Sequence, residues 1–371
     1  MLESYINTLN LTIRSLFRDI FRITFLNPAL ALFAFKTIKN QKNAARLRRI
    51  NEEQGLHVPA FLIFSLTSKC NLNCQGCYSK AFKRSGNKEM SDEQIIKVLR
   101  EASGLGISIA LLAGGEPFTK TYLLEITARL PNMIFPVFTN GLLITEDIVN
   151  KLQKQKHVIP VISIEGYADY TDDRRGAGVY AGIHNVLKRL NKHNVFWGMS
   201  ITLTRHNFEI VTQHEFIREL VSLKCRLFFF IDYIPVEDGS EDKVLTREQQ
   251  EKVRPILAEL RSRYRALFIG FPGDEEAFGG CLAAGRGFVH ISPDGSLEPC
   301  PFSPYSDINV TKTGLKEALS SKLLKTIREN SDKLNEHNSG CALWKTVIGW
   351  NHWFNLNDAL FQRIINNSLN F

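Results

Sequence analysis

The sequence predicts an α/β fold built on a parallel sheet. Six short apolar runs recur between residues 61 and 235, amphipathic stretches fill the gaps, and polar or glycine-rich residues stand where the runs end. The runs are "FLIFSLT" (61–67), "ISIALLAGG" (107–115), "IFPVFTNG" (134–141), "VIPVISIEG" (158–166), "FWGMSITLT" (196–204) and "RLFFFIDYIP" (226–235). The stretches between them include "SDEQIIKVLREASGLG", "ITEDIVNKLQKQ" and "YAGIHNVLKRLNKHN". "SDEQ" (91–94) opens its helix with Ser, two acids and a Gln three residues on, the pattern of a capping box. Strands alternating with helices imply βαβ units joined by right-handed crossovers. Six such strands suit an open doubly wound sheet or a partial barrel, and periodicity does not choose between them. In either fold the chemistry gathers at the C-terminal ends of the strands.

The chain has 371 residues, of which 44% are hydrophobic and 10% aromatic, enough for a large core and two domains with an appendage. Its seven cysteines are odd in number and three are tightly clustered, which argues against a secreted disulfide framework and for intracellular thiols that bind metal. Of the net charge of +8, residues 1–50 supply +7, through nine basic and two acidic side chains. The remainder is almost neutral, so a global nucleic-acid surface is not expected. Within residues 1–22, Ile6, Leu9, Ile13, Leu16, Phe17, Ile20 and Phe21 fall at helical spacing beside Arg14, Arg18 and Arg22. The longest uncharged run within residues 2–38, residues 23–35, is too short to span a bilayer and is interrupted by Asn27-Pro28. This segment fits an amphipathic helix on an anionic membrane surface, or a helix packed on the core or on a second subunit.

"KCNLNCQGCY" (69–78) places Cys70, Cys74 and Cys77 on one loop after the first strand. Three thiolates at this spacing can wrap one soft metal centre. A structural zinc site wants four ligands, and no fourth Cys or His stands nearby. A [4Fe–4S] cluster held by three thiolates keeps one iron open for an outside ligand.

The CxxxCxxC pattern followed by Tyr78 resembles the radical S-adenosylmethionine (SAM) superfamily. "GGEP" at Gly114, Gly115, Glu116 and Pro117 is similar to its second motif, and "TNG", with Thr139 and Asn140, to its third-strand motif. Ser163 and Glu165 resemble the ribose- and methionine-binding pair, and "DDRRGAG" (172–178) the downstream Arg-Gly element. The resemblance covers about residues 58 to 240. It implies a partial (β/α)6 TIM-like barrel and a [4Fe–4S] cluster bound by the three cysteines and SAM. Glu116 and its neighbouring backbone would hold the SAM amino group, and Arg174 or Arg175 the SAM carboxylate. The implied activity is reductive cleavage of SAM to a 5′-deoxyadenosyl radical that abstracts hydrogen from a substrate, fed by a reductant such as flavodoxin or ferredoxin. An iron–sulfur electron carrier is the non-catalytic rival, but a carrier has no use for a SAM site.

"GGCLAAGRGFVHISPDGSLEPCPF" holds Cys281 and Cys300 on either side of a Pro-Asp-Gly hairpin turn, and "SGCALW" adds Cys341. This resembles a shortened SPASM or twitch domain, which implies a second, auxiliary iron–sulfur cluster on Cys281, Cys300 and Cys341. Cys225, at the start of the sixth run, reads as core, and His290 as structural. Asp232 ends the sixth strand, where it can face the site or a solvated loop. The expected organisation is a basic N-terminal segment (1–57), the barrel (58–240), a connecting helix (241–270), the auxiliary domain (271–345) and an aromatic tail (346–371). The tail region, with Trp344, Trp350 and Trp353, suits packing on the barrel, a lid or a membrane interface. A peptide or protein is the first substrate expectation, since relatives of this kind often modify peptides. A small apolar or lipid substrate is the second. The expected location is cytoplasmic, with a peripheral contact at the inner face of the membrane.

Overall fold

The computed structural model describes residues 28–82, 88–271, 280–330 and 343. The apolar stripe of residues 6–22, Cys341, and Trp344, Trp350 and Trp353 lie outside these residues.

The six runs form strands β1 (Phe61–Thr67), β2 (Ile109–Gly114), β3 (Phe135–Thr139), β4 (Val158–Ile164), β5 (Gly198–Leu203) and β6 (Leu227–Asp232). The sheet continues through β7 (Leu267–Phe271), β8 (Phe288–Ile291) and β9 (Leu297–Glu298), in the order β7-β6-β5-β4-β3-β2-β1-β8-β9. From β1 to β7 each strand pairs in parallel with the next. Residues 241–270 are therefore more than the expected connecting helix. They contain a helix (Arg247–Arg263) and then a seventh parallel strand, whose five residues are too short a run to separate from helix by periodicity. The predicted hairpin is also present, but its first strand joins the main sheet, pairing in parallel with β1 from Phe61↔Phe288 to Phe64↔Ile291.

Helix α1 (Pro28–Glu53) precedes the sheet, and α2 (Asp92–Leu105) follows β1. The capping box at Ser91 and Gln94 forms as the sequence predicts. One strand face carries side chains that are almost wholly buried, such as Leu62, Phe64 and Leu66 on β1 and Phe228 and Phe230 on β6. The other face forms a second cluster of Val161, Leu227, Phe229 and Leu267, with half-buried Phe138, Ile231, Ile269 and Phe271 against it. Phe138 on β3 meets Phe229 on β6 edge-on at 5.0 Å although β4 and β5 lie between them. Phe61 on β1 and Phe271 on β7 come within 6.5 Å, centre to centre. Only a strongly curled sheet brings such distant strands together on its concave side, so the fold is barrel-like, with helices outside and phenylalanines inside.

Helix α1 docks through polar groups. Arg48 Nη1 donates to the Gly106 carbonyl (2.6 Å), Asn51 Nδ2 to Leu105 (3.1 Å), and Ser108 Oγ to Gln41 Oε1 (2.6 Å). Gly106, with φ of 101°, caps α2, and a Cβ there would lie 2.6 Å from the Ala44 carbonyl. Glycine thus permits both the left-handed cap and the close approach of α1. Burial lowers the Arg48 guanidinium to about 10. Cys225 is fully buried, donates to the Leu227 carbonyl, and is pushed up to about 12 by burial, as a core thiol should be. Among the described residues no helix is long and apolar enough to cross a membrane.

Candidate active site

The loop after β1 carries Cys70, Cys74 and Cys77 and is held on three sides. At its start, Glu89 accepts from Thr67 Oγ1, Ser68 N and Ser68 Oγ at 2.8–2.9 Å and pairs with Lys120. Burial raises this carboxyl, but those bonds and Lys120 outweigh it and hold it below the ordinary glutamate range. Next, β2 runs directly behind the loop, where Gly115 N donates to Thr67 O (2.7 Å) and Glu116 N to Lys69 O (2.8 Å). A Cβ on Gly114 or Gly115 would strike the Thr67 or Lys69 carbonyl, so the two glycines of "GGEP" serve this close approach. On the third side, Gln75 N donates to Arg174 O (2.9 Å) and Arg174 Nε to Gln75 O (3.2 Å). Helix α3 (Ala168–Arg175) is thereby clipped to the loop. Cys77 precedes a single helical turn (Tyr78–Ala81), and Tyr78 packs edge-on against Phe302, 5.4 Å between ring centres.

The motifs at the ends of β2, β3 and β4 face this loop. Glu116 is buried and uses both carboxylate oxygens. Oε1 accepts from Thr139 Oγ1 (2.7 Å) and Phe118 N (3.0 Å), and Oε2 from Asn140 N (2.8 Å). Burial raises its affinity for a proton while these bonds oppose the rise. Asn140 Nδ2 in turn donates to Asn71 Oδ1 in the cysteine loop (2.8 Å). "GGEP" and "TNG" therefore form one hydrogen-bonded unit with the loop. A carboxylate offers about four acceptor sites, so Glu116 keeps capacity for one more donor.

Glu165, 2% exposed, lies at the end of β4, where Arg175 Nε (2.9 Å) and Nη2 (2.5 Å) donate to its Oε1. Arg174 Nη1 stands 2.8 Å from the same oxygen, an ion pair without hydrogen-bond alignment. Burial works to lower the Arg174 guanidinium, but Glu165, Cys74 and Cys77 outweigh it and hold the group above its usual value. Both arginines thus converge on Glu165, so the two positions that the sequence left as alternatives share one partner. Ser163 is half-buried on β4 beside Ser200 on β5, and Asp232 is half-buried at the end of β6.

Among the described residues three buried polar atoms at this site have no hydrogen-bond partner: Arg174 Nη1, which is ion-paired with Glu165, and Glu165 Oε2 and the Tyr233 hydroxyl, which are not paired. A Cβ on Gly76, between Cys74 and Cys77, would lie 2.5 Å from that hydroxyl. Arg174 stands over the Tyr233 ring, 5.8 Å from its centre. Sequence reasoning noted Asp232 at the end of the sixth strand but missed the Tyr233 hydroxyl beside it, and it missed Glu89, Asn71 and Gln75. The polar spacing in "KCNLNCQGCY" was the available signal for the last two.

Cys281 and Cys300 are both buried, and Ala284 N donates to Pro299 O (3.0 Å), which ties their segments together. Cys341 lies outside the described residues. His290 is buried between Ser65 Oγ (2.8 Å from Nε2) and Glu298 Oε2 (2.7 Å from Nδ1), consistent with a structural role.

The sequence profile of the Radical SAM superfamily matches residues 64–216. The chain carries a radical SAM domain. Its relatives include an AdoMet-dependent heme synthase of Methanosarcina barkeri, 24% identical over 290 residues, covering 70% of this chain and 82% of that one. A mycofactocin maturase, MftC, of Mycolicibacterium smegmatis is 26% identical over 262 residues, covering 68% of this chain and 66% of the relative. Among solved structures, Streptococcus suis SuiB bound to the precursor peptide SuiA matches with a TM-score of 0.60 at 18% identity, covering 84% of this chain and 75% of SuiB.

Radical SAM enzymes hold a [4Fe–4S] cluster and SAM, and the residues of this domain fit both groups. Among the described residues, no three His, Cys, Asp or Glu side chains converge on a point where one metal ion would sit. A cluster spreads its thiolates over separate irons and needs no such convergence. Burial raises the Cys70 and Cys74 thiols, so a metal they bind would have to displace their protons. The orphaned atoms of Glu165 and Tyr233 suit a polar ligand beside them.

Proposed function

We propose that this radical SAM enzyme binds a [4Fe–4S] cluster through Cys70, Cys74 and Cys77, cleaves SAM reductively and takes a hydrogen atom from a peptide or protein. The reading rests on one observation above others. Glu165 Oε2 and the Tyr233 hydroxyl are buried beside the three-cysteine loop without partners among the described residues, which suits a polar guest. Cys70, Cys74 and Cys77 would hold the cluster, which when bound and reduced would supply the electron for SAM cleavage.

The chain's own residues bind and orient. Gly114, Gly115 and Pro117 bring β2 against the loop, and Glu116 retains one acceptor site for the SAM amino group. Thr139 and Asn140 fix the Glu116 carboxylate, and Tyr78 flanks the loop where it meets the segment after Cys300. Ser163 and Glu165 would hold the ribose and methionine portions, with Arg174 and Arg175 neutralising Glu165 so that its buried charge is tolerated. Cys281, Cys300 and Cys341 would hold an auxiliary cluster. A flavodoxin or ferredoxin would supply electrons.

The peptide assignment is supported by the maturase and by the peptide-bound SuiB among the similar proteins. A second reading, a small apolar or lipid substrate met at the inner membrane surface, is favoured by the exposure of Leu32 and Phe35 on α1. The test is anaerobic reconstitution with SAM and dithionite. The wild type should yield 5′-deoxyadenosine, and a variant with Cys70, Cys74 and Cys77 changed to Ala should yield none. Persisting 5′-deoxyadenosine in that variant overturns the cluster assignment. A mass change in a short peptide encoded beside the gene supports the peptide substrate, and a change confined to extracted lipid supports the second reading.

A further inference from the structure

Helix α1 has two unlike faces. Ala34, Thr37, Gln41, Ala44, Arg48 and Asn51 are buried against the barrel. On the opposite side, Lys36, Lys39, Lys42, Arg46 and Arg49 are all exposed. Among the described residues no acidic side chain pairs with any of these five, and the helix itself has no acid before Glu52. The same side carries Leu32 (73% exposed), Phe35 (68%) and Ile50 (37%). Only one other large hydrophobic among the described residues, Tyr122, is as exposed as these, so the three on α1 are a concentration and not a scatter. At 3.6 residues per turn, these apolar and basic positions share one sector of about 140°, and the cations run about 20 Å along the axis.

We propose that this outer face of α1 docks the enzyme lengthwise on an anionic membrane surface. The charge pattern selects the partner. A second copy of the chain would set like charges together across a two-fold contact. A nucleic acid would satisfy the cations and leave Leu32, Phe35 and Ile50 in water. An anionic bilayer satisfies both, since its headgroups pair with Lys and Arg while apolar side chains enter the boundary beneath them. The polar docking of the inner face, through Gln41, Arg48 and Asn51, holds the helix to the barrel and leaves the outer face free for the membrane. The surface stands apart from the cysteine loop, so this proposal does not rest on the radical chemistry.

The experiment uses the reconstituted full chain and sedimentation with vesicles of phosphatidylcholine, alone or with about a third phosphatidylglycerol. The wild type should sediment with the anionic vesicles only, and less so as salt is raised. One variant combines Lys36→Glu, Lys39→Glu, Arg46→Glu and Arg49→Glu, and another Leu32→Ser and Phe35→Ser. Each should lose at least about tenfold in partitioning, the former through charge and the latter through apolar contact. Unchanged uncoupled SAM cleavage and an unchanged thermal melt show that each variant is folded. Equal sedimentation with both vesicle types overturns the proposal, as does a charge variant that binds as well as the wild type. Binding to a DNA duplex that exceeds binding to anionic vesicles overturns it too, in favour of a nucleic-acid surface.

Discussion

The hydroxyl of Tyr233, at the end of β6, is buried directly beside Gly76, inside the loop that joins Cys74 to Cys77. Among the described residues it has no hydrogen-bond partner, and any side chain at position 76 would collide with it. A buried hydroxyl in this state destabilises the empty protein unless a bound group serves it. The Tyr233→Phe variant should therefore melt higher than the wild type without cofactors, by about 1 kcal/mol of stability. Its affinity for SAM after reconstitution should fall. Calorimetric melting of the cofactor-free chain and titration of the loaded one read the two effects. A variant less stable when empty would show that the hydroxyl is served by the protein itself.

Glu165 carries the charge of two arginines on one buried oxygen. Glu165→Gln keeps the shape and removes the charge, leaving Arg174 and Arg175 uncompensated. The expected cost is about 3–5 kcal/mol, measured as the loss of urea-unfolding free energy in the cofactor-free chain. A cost under about 1 kcal/mol would place the pair among solvent-screened ion pairs.

Two glycines should respond oppositely to alanine. Gly104 lies within α2 with open space where a Cβ would go, so Gly104→Ala should stabilise by about 0.5–1 kcal/mol. Gly115→Ala would push the Lys69 carbonyl, and with it the Cys70 segment, out of place. Iron bound per chain after reconstitution should drop in the second variant alone. Equal iron in both would mean that the loop tolerates the displacement.

Glu89 links stability to pH. Its carboxyl is held below the ordinary glutamate range, so it contributes stability above that range and loses it as pH falls through the folded-state value. Urea midpoints measured from neutral pH down through about 4.3 should fall more steeply for the wild type than for Glu89→Gln. Parallel curves would show that the clasp on Ser68 carries no charge-dependent energy.

Changing Cys281 and Cys300 together to Ala should remove about four irons per chain, the content of one cluster. Uncoupled SAM cleavage should persist, with circular dichroism confirming the fold. Undiminished iron would reduce both thiols to packing residues.

Local signals in the sequence were read correctly where local physics decides the outcome. The capping box at Ser91, the six apolar strands and the turn at Asp294 and Gly295 each follow from neighbours a few residues apart. The strand Leu267–Phe271 was lost because five apolar residues after a long helix carry no period of their own. The pairing of β8 with β1 left no local trace, since nothing near Phe288 names Phe61 as its partner. At the site, the residue types of the cysteine loop and "GGEP" announced themselves. The convergence of Arg174 and Arg175 on Glu165 did not, because it depends on how α3 folds back over the loop.

The pairing of β8 with β1 also bears on the order of assembly. Strand β1 leads straight into the cysteine loop, yet one of its edges stays open until residues 288–291 arrive, after the seven-stranded part of the chain. Such distant pairing is slow to form, because the intervening chain must be ordered first. During synthesis the nascent chain therefore exposes an apolar strand edge beside three free thiols, the state most open to aggregation and oxidation. The segment that follows the hairpin also carries Phe302, whose contact with Tyr78 at the end of the cysteine loop forms only once it docks. The moment at which the cysteine loop gains this neighbour is thus written into the position of one late strand.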